Sequence, residues 1–225
     1  MAALRAEFDW FRSMGLTGSP PARKLSGQHP DPKEPPGMPF EKSVPREFDP
    51  LTSAEATLAI CRLVMRGIAE TSYPDPTVCT EFSVARLADH LVGSVRFFGG
   101  PAGAEFRPTG AIALEARVAD VAQPALEAWR TRGLDGTVKL GRNEVPAALA
   151  LSILSIEFLV HAWDFAQATG QEVSVPGELA EYVLQIARKA ITPEVRRNNG
   201  FAAAIPVGPA AAALDRLVAF TGRAV

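Results

Sequence analysis

Between positions 147 and 170 runs an apolar stretch long enough to be the axis of a fold, and its middle reads Ile156-Glu157-Phe158-Leu159-Val160-His161-Ala162-Trp163-Asp164. For nearly three turns before Glu157 there is only Ala, Leu, Ile and Ser. A carboxylate and an imidazole four residues apart share one face of a helix. With Glu157 as zero on a helical wheel, His161, Asp164, Ala150, Ile153, Leu154 and Ala168 all fall within about 60° of it, at roughly 100° per residue. The polar groups therefore lie on an apolar stripe. A buried carboxylate without a partner costs several kcal/mol, so the sequence must provide a metal ion, a cationic side chain or a raised pKa.

The rest of the composition narrows the function classes. The chain has 225 residues and a formal net charge of −2, enough for one good core, or a modest core and a tail. Without a dense Lys/Arg stripe it has no footprint for nucleic acid, which needs concentrated positive charge. Glu157 and His161 interrupt the best candidate membrane span. The opening Met1-Ala2-Ala3-Leu4-Arg5-Ala6-Glu7 has no apolar signal core. The expectation is a cytoplasmic protein that engages neither membrane nor nucleic acid, and its two cysteines, Cys61 and Cys79, suit a reduced compartment.

Residues 1–16 have the spacing of a short helix, and residues 17–50 are crowded with Pro, Gly and Ser, so 1–48 reads as a Pro/Gly-rich arm or linker. His29 lies there, on no rigid support. Residues 49–225 form the folded unit. Thr52 and Glu55 suggest a capping box for a first helix, with Leu58, Cys61, Met65 and Ile68 on its apolar face and Tyr73-Pro74-Asp75-Pro76 ending it. Ser83 is the expected N-cap of a second helix with Val84, Leu87, Leu91, Val95 and Phe98 inward, closed by Gly99-Gly100-Pro101. A third helix spans 113–132, kinked or split at Pro124, and 137–140 reads as extended. Pro146 opens the long apolar helix and Gly170 closes it; further helices follow over 178–190 and around Leu214, Leu217, Val218 and Phe220. Each helix shows a single apolar stripe and strand signals are sparse, which predicts an all-α antiparallel bundle with extra short helices.

Three histidines occur in the chain, and two, His90 and His161, sit on or beside apolar helix faces. Glu157 and His161 on one helix with His90 on a neighbour would give three ligands from two rigid elements and leave positions open on a divalent ion. The bland alternative is a buried hydrogen-bonded pair holding two helices in register. Asp164, one turn beyond His161, is a candidate acceptor for its imidazole, a fourth ligand, or a carboxylate paired with an arginine. Trp163 reads as core packing, Cys79 as a small buried residue, and Arg196-Arg197 as a solvated pair, with contact to an anionic substrate as the alternative.

Three stretches carry a resemblance. Val78-Cys79-Thr80-Glu81-Phe82-Ser83-Val84 leads into Leu87-Ala88-Asp89-His90-Leu91-Val92-Gly93; the second is 157–170, with its His-Ala-Trp-Asp core; the third is Leu214-Asp215-Arg216-Leu217-Val218-Ala219-Phe220-Thr221-Gly222-Arg223. Together they resemble the DinB-like actinobacterial metal-binding proteins, relatives of the metal-binding domain of mycothiol-dependent maleylpyruvate isomerase. The resemblance covers about residues 50–225. It implies a four-helix bundle with a divalent ion, usually zinc, on positions matching His90, Glu157 and His161. In the isomerase the ion is thought to activate the thiol of mycothiol.

The isomerase has a further carboxy-terminal domain with a catalytic arginine, in whose place this chain has a Gly/Ala/Pro tail and a short helix. No residue is assigned that arginine's role. The expected function is therefore a related thiol-dependent isomerase or transferase acting on a small electrophile, with zinc and mycothiol as cofactor and cosubstrate. The alternatives are a metal-dependent hydrolase with Asp164 as catalytic base, and a non-catalytic metal- or ligand-binding module.

Overall fold

Asp49-Pro50 starts the first helix. In the computed structural model, which describes residues 48–79, 81–108, 110–198 and 201–225, α1 runs Pro50–Arg66, with Asp49 as N-cap and Pro50 in its first turn. The Asp49 Oδ1 accepts from the Thr52 N–H at 2.8 Å. The cap thus lies three residues before the expected Thr52, because an Asp followed by Pro satisfies the orphan donors first. Glu55, expected to close a capping box, pairs instead with Arg130. Nor does α1 persist to residue 73: Gly67 caps it, donating to the Val64 carbonyl at 3.0 Å, and a short 3₁₀ turn at Glu70–Ser72 follows.

Asp49→Ala is expected to lower stability by about 1 kcal/mol at neutral pH. The Thr52 N–H holds the Asp49 carboxyl below its ordinary value, so the cap contributes fully above the unfolded carboxyl pKa, about 3.9, and its contribution is lost as pH falls through the depressed value. Urea denaturation of the two proteins should separate at neutral pH and converge in acid.

The second helix, α2 (Val84–Gly99), matches expectation: Ser83 caps it, and Val84, Leu87, Leu91, Val95 and Phe98 are fully buried. α3 (Leu114–Arg132) continues through Pro124 as one helix. Its Trp129 is fully buried and donates from Nε1 to the Phe98 carbonyl at 3.1 Å, tying α3 to the end of α2. The extended segment is half of a hairpin, β1 (Thr137–Leu140) and β2 (Asn143–Pro146), antiparallel with Leu140 opposite Asn143 and Gly141 at φ 61° in the turn. Then come α4 (Ala147–Thr169), α5 (Gly177–Ala190), α6 (Pro193–Asn198) and α7 (Ala213–Phe220).

The architecture is mostly helical, and α4 is its axis. Every residue from Ala150 to Ala166 is buried, so α4 lacks the single apolar stripe expected of it and is enclosed on all sides. One side joins a large core with α1, α2 and α3 through Leu154, Phe158 and Phe165; the other joins α5 and α7 through Ile156, Leu159 and Val160 against Leu179, Val183 and Leu217. Full burial of each such side chain is worth about 1.5–3 kcal/mol. Among the described residues α4 is the one helix long and apolar enough to cross a membrane, and 83% of its most apolar window lies inside the protein.

Phe48 packs against Tyr182 of α5, with ring centroids 6.1 Å apart. The helix expected over 1–16, the arm to residue 47 and His29 lie outside the described residues.

Candidate metal centre

The site forms where α2 crosses the middle of α4. Glu157 and His161 face α2 one helical turn apart, and His90 comes from the flank of the α2 apolar face. His90 Nε2 is 3.5 Å and His161 Nε2 3.7 Å from Glu157 Oε2, and the three ligand atoms all lie within 4.8 Å of one another. The two imidazoles meet edge to face at 5.2 Å. All three residues are buried, at 7%, 6% and 7% relative exposure for His90, Glu157 and His161.

These distances bear on both sequence readings. A hydrogen-bonded pair needs an N···O separation near 2.9 Å. Two ligands about 2.0–2.1 Å from a tetrahedral ion sit about 3.3 Å apart, a few tenths from the separations seen. Glu157 Oε2 is buried and has no hydrogen-bond partner among the described residues. Donor chemistry and spacing thus fit a divalent ion, and the buried group could hold one. Burial pushes the Glu157 carboxyl up, but His90 and His161, with Ser94, more than offset this and hold it at about 2, so it is ionised at neutral pH.

Around these ligands the fold builds a support. The turn closed by the Pro76–Ser83 bridge sets Phe82 on the His90 ring, centroids 5.2 Å apart and planes inclined at 29°. Thr77 holds that turn, its hydroxyl donating to the Cys79 and Phe82 carbonyls at 3.0 and 2.9 Å. On the other flank His161 Nδ1 lies 2.8 Å from Asp164 Oδ2. An anionic acceptor there places the proton on Nδ1 and leaves the Nε2 lone pair facing Glu157.

Asp164 is fully buried, and Arg223 grips it with two bonds, Nε to Oδ1 and Nη2 to Oδ2, both 2.6 Å. Burial alone would raise the Asp164 carboxyl, but Arg223 and His161 hold it below its usual range. Cys79 is half-buried with its Sγ 3.8 Å from Arg223 Nη2, and burial pushes its thiol up although Arg223 opposes the shift.

All three expected ligands are brought together, and Asp164 lies beside them. Arg223 is the residue the sequence reading missed. It closes the third stretch of the resemblance, but nothing in spacing tells that a residue 59 positions after Asp164 returns to it. Arg196 serves the tail, donating to the Ala202 and Phe220 carbonyls and lying over the Phe220 ring at 5.0 Å. Trp163 is buried, as expected.

Fold and site define a mostly helical protein with a buried two-histidine, one-glutamate group able to take a metal ion. The chain is 31% identical over 183 residues to the uncharacterized proteins MT0763 and Rv0738 of Mycobacterium tuberculosis (strains CDC 1551 / Oshkosh and ATCC 25618 / H37Rv). The match covers 79% of this chain and 100% of each relative, and the chain belongs to their family. No family model and no solved structure matches it.

Proposed function

We propose that the protein is a DinB-like four-helix-bundle metalloprotein that holds zinc on His90, Glu157 and His161 and uses it in thiol-dependent chemistry, an isomerisation or transfer on a small electrophile with mycothiol as cosubstrate. The observation that carries this reading is the buried Glu157 Oε2, which lies between two imidazole nitrogens without a hydrogen bond to either. Two imidazoles and one carboxylate suit zinc and leave a tetrahedral ion one position short, which is the donor set of a reactive centre. A bound ion would supply Lewis acidity, lowering the pKa of a thiol or water that takes the open position.

The chain's own residues do the rest. His90, Glu157 and His161 bind, and the long apolar helix makes their spacing rigid. Phe82 lies flat on His90 and keeps water from that side of the ring. Asp164 has both oxygens engaged and no exposure, so it holds the His161 proton at Nδ1 and is not placed to act as a hydrolytic base. A low-molecular-weight thiol as partner accompanies this reading, as does a cytoplasmic setting, which the two free cysteines suit.

Elemental analysis of purified wild type beside His161→Ala and Glu157→Ala tests the metal: zinc near one ion per chain, lost in both variants, is the expected result. Mycothiol added to cobalt-substituted protein should then produce a sulfur-to-cobalt band in the near ultraviolet. A wild type that takes up no metal on reconstitution overturns the proposal. Metal without a thiol response leaves a binding module in place of the enzyme.

A further inference from the structure

We infer that Arg223 is a positioning residue for this centre: its two-pronged hold on Asp164 fixes the His161 tautomer and so aims the His161 Nε2 lone pair at the point where Glu157 and His90 converge. The inference rests on the metal reading above and extends it to a residue at the far end of the folded chain. Asp164 Oδ1 accepts from Arg223 Nε, while Oδ2 accepts both from Arg223 Nη2 and from His161 Nδ1. A single bond would leave the carboxylate free to rotate about Cβ–Cγ. Two parallel bonds from a planar guanidinium fix the carboxylate plane, and with it the direction from which Oδ2 meets the imidazole.

Arg223 is itself held in place. Its Nη1 donates to the Thr221 carbonyl at 3.4 Å and its Nη2 rests on Cys79 Sγ, in the turn that carries Phe82 to His90. Gly222 before it has φ 94°, and a Cβ there would lie 2.7 Å from Ala202 Cβ, so the backbone turn that delivers Arg223 needs glycine. The side chains of Arg223 and Asp164 are 12% and 0% exposed, which separates this pair from a solvated surface ion pair. Thus α4, the end of α7 and the turn before α2 meet at one guanidinium.

A merely structural Arg223, pinning α7 to α4, would change stability and nothing at His161. The experiment therefore reads the centre directly. In metal-free protein with ¹⁵N-labelled histidine, at mildly alkaline pH, wild-type His161 should carry its proton on Nδ1 alone. Arg223→Gln should show a mixture of tautomers, and its zinc affinity, measured by chelator competition on folded protein, should fall by about 10–100-fold. Arg223→Lys keeps the charge without the fork and should fall between. Should Arg223→Gln not fold, Arg223→Lys decides by the same two readouts. Folded variants that keep the wild-type tautomer and bind zinc within about twofold of wild type overturn the inference while the metal centre stands. Wild type that binds no zinc removes the metal reading first, and the inference with it.

Discussion

Glu157→Gln is expected to erase the stabilisation that zinc gives the wild type, a larger effect than any loss it causes in metal-free protein. At a free zinc concentration a thousandfold above Kd, binding to the folded state alone adds about 4 kcal/mol. For a chain of this length that is roughly 10 °C in Tm, at about 2–4 °C per kcal/mol. The substitution keeps the shape of the side chain and removes the charge that neutralises the ion. Without metal a smaller loss is expected, because Gln forgoes the attraction of the two imidazoles that holds the carboxyl down but also avoids the desolvation cost of the carboxylate. Thermal melts of both proteins with zinc and with chelator check this. A zinc-dependent rise in the variant equal to that of wild type would show that Glu157 is no ligand.

The second large effect concerns the ion pair behind the centre. Arg223→Met is expected to destabilise metal-free protein by about 3–5 kcal/mol, because it leaves the fully buried Asp164 carboxylate without its counterion. The double variant Asp164→Leu/Arg223→Met should recover most of that loss, since removing both charges removes the uncompensated one. Urea denaturation in chelator gives both numbers, and the pair forms a double-mutant cycle. A single variant within about 1 kcal/mol of wild type would mean that water reaches Asp164, contrary to its burial. Recovery in the double variant would indicate that the pair is kept for the orientation of His161 more than for stability.

Local chemistry made much of this protein legible before folding. Ser83, the 3.6-residue spacing from Val84 to Phe98, Pro146 and Gly170 mark helix limits through rules that act within one turn, and the structure follows them. Where two local signals competed, as with Asp49-Pro50 against Thr52, the nearer satisfaction of orphan N–H groups decided, and weighing the Pro would have found it. The hairpin was half visible: Val138 and Leu140 alternate inward, but the pairing of Asn143–Pro146 depends on a turn at Gly141 that periodicity does not report.

The burial of α4 shows the limit most clearly. Its composition marks it as apolar, yet a wheel centred on Glu157 suggests one face, and only the placement of α1 and α2 on one side and α5 and α7 on the other makes it an enclosed axis. For the site, sequence alone determined the candidate ligand types and the Glu157 to His161 spacing, because one turn of helix sets that distance. Tertiary structure decided that His90 meets them, that Phe82 covers His90 and that Arg223 reaches Asp164. The reason is physical: helix geometry relates residues three or four apart, whereas contacts across 59 residues depend on how whole helices pack, which no local pattern encodes.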